Sequence, residues 1–330
     1  MNVLIRGAGV AGLTLAHELA GRGMRITVTD PRQSVAEAAS WFAGGMLAPY
    51  CERESAEQSV QDLGLAAADW WDKALPGLVV RAGTLVVAAS RDHGELNRFA
   101  ARTTGFVSLG PDDISALEPD LGGRFRRALH FDREAHLDPR IALQRLELKL
   151  TGMGVIFENG AGGECSAAHD VSVDCTGIAG AATDSNLRGV RGEMLILRTR
   201  DISLSRPVRL LHPRFPLYVV PRADHQFMIG ATMVETDANG PMTARSMMEL
   251  LNAAYSLHPA FAEAELVETG VGVRPAYPDN LPRIERDGPT IRINGLYRHG
   301  FLLAPAMAQQ AAGFILNPHP TRQLHHETHH

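Results

Sequence analysis

The chain opens on a short apolar run at residues 2–6, which predicts a buried strand. Helical periodicity follows over 11–22, closed by Gly21 and Gly23, and strand-like alternation returns over 24–29. Together these predict a βαβ unit. The stretch 36–57 is rich in Ala and Gly and too irregular for one element, so it predicts a shaped loop with a flanking helix. Short β-rich runs then appear at 84–88, 129–131, 193–198, 218–221 and 226–232, predicting a mostly antiparallel second sheet. Between them, Asp138-Pro139 opens an amphipathic segment with Ile141, Leu143, Leu146 and Leu150 as its apolar positions. Strands are predicted at 155–157 and at 171–174, the latter ending at Thr176-Gly177. These pieces match the first βαβ unit better than the β-rich parts do. The expected organisation is therefore interleaved, with an α/β domain of 1–79, 139–191 and 277–330 and a β-rich domain of 80–138 and 192–276.

Composition narrows the function classes. With 45% hydrophobic and 21% charged residues the chain can bury a large core, and a net charge of −5 gives no pull toward nucleic acid or an anionic membrane. Cys51, Cys165 and Cys175 form no C-x-x-C pair, which argues against a disulfide framework or a zinc site and for a reducing compartment. Cys165 and Cys175 are expected to be buried and inert. The first predicted strand leaves no room for a leader and no apolar run reaches membrane-spanning length, so a cytoplasmic location is expected. The His-rich tail at 325–330 reads as a disordered terminus rather than a metal site. No metal is expected.

The chemistry begins at Gly7-Ala8-Gly9-Val10-Ala11-Gly12, a G-x-G-x-x-G loop between a predicted strand and helix, with Asp30 at the end of the next strand. Gly7 permits the turn, Gly9 lets the backbone approach a pyrophosphate, and Gly12 allows close helix–strand packing. The helix N-terminus offers free amides to phosphate, and Asp30 is placed to bind ribose hydroxyls. Arg32 either packs on the adenine or faces solvent. By itself the loop does not separate FAD from a nicotinamide cofactor. A second strand, glycine turn and helix at 294–305 presents another helix N-terminus, suited to the N1–C2=O edge of a reduced flavin.

Further motifs follow in order along nearly the whole chain: after the N-terminal fingerprint come Gly44-Gly45-Met46-Leu47-Ala48, Arg191-Gly192-Glu193, Tyr218-Val219-Val220-Pro221-Arg222, Ile229-Gly230-Ala231-Thr232-Met233, Gly272-Val273-Arg274-Pro275 and Arg298-His299-Gly300-Phe301-Leu302-Leu303-Ala304-Pro305. Together these resemble the D-amino-acid oxidase superfamily, closest to the glycine oxidases of thiamine biosynthesis. The resemblance implies a Rossmann-type FAD-binding domain interleaved with an α+β substrate domain built on an antiparallel sheet. It also implies that Val10 and Ala11 meet the cofactor phosphates and Asp30 and Pro31 the adenosine. Ala39, Ser40, Gly44, Gly45, Met46 and Leu47 would meet the pyrophosphate–flavin half, with Thr176 and Gly177 as a third flavin segment. Arg298, His299, Gly300, Phe301 and Leu302 would hold the pyrimidine edge. No cysteine stands by the turn at 278–282, where Ala276 and Tyr277 precede it, so noncovalent FAD is expected.

For the reaction, a guanidinium fork is the side chain best shaped to hold a carboxylate in two bonds. Arg274 matches the family's carboxylate-binding arginine, Tyr218 a tyrosine assisting it, and Met233 a pocket-lining position for which core packing is an equal reading. Arg298 suits either the substrate's amino side or the flavin edge. The family implies hydride transfer to the flavin without a side-chain base, so His299 is not assigned that role. The implied activity is oxidative deamination of glycine or another small amino acid, with O2 reduced to H2O2 and the imine hydrolysed or passed to thiazole synthase. Alternatives are a D-amino-acid or secondary-amine dehydrogenase or oxidase of the same superfamily, or a non-catalytic flavin-binding redox partner. A homo-oligomer is expected. The compact region 154–170 leaves adenine contacts open, and Pro216 stands where the thiamine-pathway enzymes can carry a polar residue, which weakens the case for glycine.

Overall fold

The strand Asn2–Arg6 pairs in parallel with Arg25–Thr29, and the helix Val10–Ala20 crosses between them. Val3, Leu4 and Ile5 are buried because the strand is central: Val171–Asp174 lies parallel on its other side. A computed structural model of the chain describes residues 1–32, 34–159, 168–212 and 216–316. Cys165 and the His-rich tail lie outside the described residues.

The first sheet has six strands in the order Arg283–Asp287, Thr290–Asn294, Val171–Asp174, Asn2–Arg6, Arg25–Thr29 and Ile156–Glu158. All neighbours are parallel except the hairpin formed by its first two strands. Pro139–Gly152 and Gly300–Leu316 pack with Val10–Ala20 into its main core. Asp138 caps Pro139–Gly152 by accepting from the Arg140 and Ile141 amides, as the Asp-Pro start predicts. Gly300–Leu316 is apolar nearly all round, which suits a helix buried between neighbours.

The larger sheet of nine strands is antiparallel apart from the pairing of Val208–Leu211 with Thr84–Ala88. Its longest pairing joins Arg188–Arg198 to Glu265–Ala276, and the helix Ala244–Leu257 packs on a core with Leu195, Leu197, Val219 and Ile229. The strand Arg188–Arg198 runs unbroken across the boundary expected at 191/192, because it pairs with Glu265–Ala276 from Arg188 onward. The strand Glu265–Ala276 was not anticipated. Charged residues at its start hide the pattern, and Arg274 lies within this strand. The α/β plan with an interleaved antiparallel sheet is the expected one.

Candidate active site

A cavity of about 950 Å³ runs between the two sheets, at the upper end of the range for small-molecule sites. At one end are the glycine loop and the start of Val10–Ala20. Gly7 has φ +105°, a conformation an L side chain rarely adopts, and a Cβ there would strike the Cys175 backbone. A Cβ on Gly12 would overlap the Gly7 carbonyl oxygen, so this glycine serves helix–strand packing and does not face the cavity. Gly9 differs from both. A Cβ there would meet only Ser40 Oγ, at 3.6 Å, and otherwise enter the cavity.

Within the helix the first bond is from Leu13 N to Gly9 O, and Ser40 Oγ accepts from Val10 N at 3.2 Å. The amide of Ala11 is thus presented to the cavity at a positive helix end, as an anion site requires. Pro31, Ala39, Ser40, Gly44, Gly45 and Met46 also line the wall, with Thr176 and Gly177 opposite. Leu47 does not: the two-residue strand Met46–Leu47 turns Met46 toward the cavity and Leu47 into the core, where it is fully buried. The expected Leu47 contact is corrected accordingly.

Asp30 is already engaged. Its Oδ1 accepts from Arg32 N and Nε, and its Oδ2 from Ala8 N and Arg32 Nη2. Burial would raise its carboxyl, but the Arg32 guanidinium and these amides hold it below the usual range. A ribose approaching Asp30 meets a carboxylate already paired with Arg32, whose partly exposed side chain also lines the cavity.

The other end of the cavity is framed by the larger sheet. Register sets Arg209 opposite Tyr218 and Tyr218 opposite Gly230, so both side chains share the face toward the cavity. Glycines make the room. A Cβ on Gly44 or Gly230 would press on the Tyr218 ring at 2.9 and 2.8 Å, and one on Gly192 would overlap the Arg274 guanidinium lying over it. Arg274 donates from Nη1 to Thr232 O at 3.1 Å and has no carboxylate partner among the described residues. Enclosure raises the pKa of the Tyr218 phenol against the opposing pull of Arg274 and Arg209, so it is a neutral donor.

Arg298, His299, Gly300, Phe301 and Leu302 line the cavity where Gly300–Leu316 begins. Tyr297, at φ +48°, is held in the turn before it by the hydrogen bond its N–H donates to Pro275 O. Arg298 is not free: its Nη2 donates to Glu52 Oε2 at 2.8 Å and to Ser55 Oγ at 2.6 Å. Glu52 also accepts from Arg209 Nη2. Burial would raise the Glu52 carboxyl, but Arg298 and Arg209 together hold it well below the carboxylate range. His299 is buried, with Nδ1 3.3 Å from Glu52 Oε2 but not aligned for a hydrogen bond. Burial pushes it down to about 4, so it is neutral.

Glu52 and Arg209 escape a sequence reading. Arg209 leaves one trace, a charge amid the apolar residues Val208, Leu210 and Leu211, which marks a strand face turned to something polar. Nothing in sequence pairs it with Glu52, 157 positions away.

A family model described as FAD dependent oxidoreductase (DAO) matches residues 2–313. The chain belongs to this family. FAD is its cofactor, and the open wall at Gly9 and the presented amides beside it fit a pyrophosphate. A Rhizobium etli protein, provisionally named thiamine biosynthesis oxidoreductase ThiO, is 60% identical over 96% of this chain and 97% of its own length. A Synechocystis protein named bifunctional protein ThiO/ThiG is 28% identical over 98% of this chain, which spans 53% of that longer protein. Among solved structures, glycine oxidase from Geobacillus kaustophilus superposes with a TM-score of 0.80 at 21% identity, covering 95% of this chain and 94% of that one. That likeness shows the shared fold. In this flavoenzyme the thiols of Cys51 and Cys175 are buried and their pKa values raised by that burial, which keeps them protonated and unreactive. Beside the 278–282 turn stands buried Tyr277, its hydroxyl donating to Asp184. No helix among the described residues is long and apolar enough to cross a membrane.

Proposed function

We propose that this flavoenzyme oxidises glycine or a related small amino acid at its α-carbon, with O2 as electron acceptor. One observation carries the reading. Arg274 faces the cavity with a single backbone partner and no counter-charge among the described residues. A substrate carboxylate supplies that charge in a bidentate fork, and the neutral Tyr218 hydroxyl donates to the same group. FAD, when bound, accepts the hydride released from the α-carbon. The chain's own part is orientation and charge: Arg274 and Tyr218 fix the carboxylate, and the missing side chains at Gly44 and Gly230 give the Tyr218 ring its place. Arg298 lends a positive edge, moderated by Glu52.

No side-chain base is assigned. Burial lowers His299 to about 4, too weakly basic to take a proton from an ammonium, and the Glu52 carboxylate is held between two guanidiniums, so the amine enters neutral or loses its proton to water. The imine that leaves is hydrolysed to a 2-oxo acid or passed to a thiazole synthase. The likeness to the Rhizobium etli ThiO supports the pathway, and the joined ThiO/ThiG of Synechocystis supports the partner. Pro216 lines the cavity beside Tyr218 and offers no polar contact, so another small amine stands beside glycine as a candidate substrate.

The test is an amine panel of glycine, sarcosine and D-alanine, assayed for O2 uptake, peroxide and dye reduction beside a flavin absorbance spectrum. Yellow protein that makes peroxide from one of them is expected. Protein that carries FAD but passes electrons only to dye would be a dehydrogenase, and the oxidase reading would fall.

A further inference from the structure

Met233 stands at the cavity mouth, 51% exposed, with Sδ 3.6 Å from Tyr297 Oη and 3.8 Å from Arg298 Nη1. A thioether is a weak acceptor, and two strong donors, one of them cationic, are poor company for it unless a better acceptor is to come. We propose that Met233 is a site of self-oxidation, converted to its sulfoxide by hydrogen peroxide leaving the cavity; this rests on the oxidase reading above. Sulfur attacks one peroxide oxygen, an S–O bond forms as the O–O bond breaks, and the proton of the attacked oxygen passes to the departing hydroxide to give water. Sulfur is oxidised by two electrons and peroxide is reduced. Tyr297 and Arg298 stabilise the departing oxygen and then hold the sulfoxide oxygen, a far stronger acceptor than the thioether. Arg298 keeps its Glu52 bond through Nη2 while Nη1 is drawn to the sulfoxide, so the mouth narrows over the substrate site. Met248, on the helix Ala244–Leu257, is 60% exposed and has no such donors among the described residues, which makes it an internal control.

The experiment follows both methionines by peptide mass spectrometry in two arms: FAD-loaded enzyme turning over glycine in air, with and without catalase, and resting enzyme given added peroxide. Met233 is expected to gain oxygen about 5-fold or more faster than Met248 in the added-peroxide arm, and the modified enzyme to show a KM raised several-fold, reversed by methionine sulfoxide reductase. In the turnover arm Met233 is expected to oxidise even with catalase present. The variant Met233→Leu is expected to hold its own starting activity through the same peroxide exposure. Equal oxidation of the two methionines in the added-peroxide arm, or parallel inactivation of Met233→Leu, would overturn the proposal. Absence of peroxide in the turnover arm alone would instead remove the oxidase reading.

Discussion

Arg298 Nη2 lies 2.8 Å from Glu52 Oε2, so a guanidinium of the cavity wall is paired with a carboxylate of the chain itself. Arg209 holds the other carboxylate oxygen, and one buried acid thus serves two guanidiniums from distant parts of the chain. Removing its charge takes the carboxylate away from both cations, leaving Arg298 only the Ser55 hydroxyl among its strong acceptors, which costs more than losing an exposed pair would. Glu52→Gln is expected to lower unfolding free energy by about 3 kcal/mol in urea titration of the FAD-loaded enzyme. Adding Arg209→Met should recover part of that loss. Additive losses in the double variant would show that the three groups do not act as a unit.

The assignment of Arg274 has a test that leaves its charge in place. Gly192→Ala puts a methyl where the guanidinium now rests, and a flexible side chain yields more readily than backbone. Both Gly192→Ala and Arg274→Ala are expected to raise KM for the amino acid, the latter by about 100-fold for loss of a charge-assisted bidentate contact. Flavin absorbance should be unchanged in both. An unaltered KM in Arg274→Ala removes it from the pocket.

The glycine loop separates into two roles that substitution can distinguish. Gly12→Ala forces a methyl against the Gly7 carbonyl, a backbone atom that cannot move without opening the βαβ unit. Loss of soluble folded protein is expected. Gly9→Ala meets nothing closer than Ser40 Oγ, so the fold should survive while the cofactor approach is blocked. An FAD Kd raised at least about 10-fold, with far-ultraviolet circular dichroism intact, is the expected result. FAD binding as tight as in the parent protein would place the pyrophosphate elsewhere.

The elements that repeat a simple period were readable from sequence: the strand Asn2–Arg6, the Asp138-capped helix and the glycine loop each declare themselves within a dozen residues. The strand Glu265–Ala276 did not, since Glu265, Glu268 and Thr269 break its alternation on an open face. Arg274 and Tyr218 could be nominated by chemistry and motif, but their neighbours could not. The Glu52–Arg209–Arg298 cluster depends on strand register and on a loop returning across the sheet, information that no local window carries. Asp30 shows the same limit. Its position was evident, while its clasp by Arg32 depends on a rotamer.

Glu134 is buried beside Thr84 and accepts from Cys51 N at 2.7 Å. Burial pushes its carboxyl up to about 7, outweighing the lowering influence of Arg209. An unfolded glutamate releases its proton near 4.3, so between there and about 7 the native state binds a proton the unfolded state does not. Stability contributed by this group is complete below that window and is lost as pH rises through it, by on the order of 3 kcal/mol. His136 and His299, both pushed down to about 4 by burial, act in the opposite sense. Their unfolded forms take up protons below about 6.5, so stability rises with pH from about 4 to 6.5. The two effects offset each other in the acidic range, and only the Glu134 loss continues above it. Glu134→Gln keeps the hydrogen-bond acceptor for Cys51 N but has no proton to lose. Urea titrations from pH 5 to 8 are expected to show parent and variant close at pH 5 and the variant the more stable at pH 8. Parallel curves across that range would mean that Glu134 is ionised in the native state throughout, with Arg209 as its effective partner.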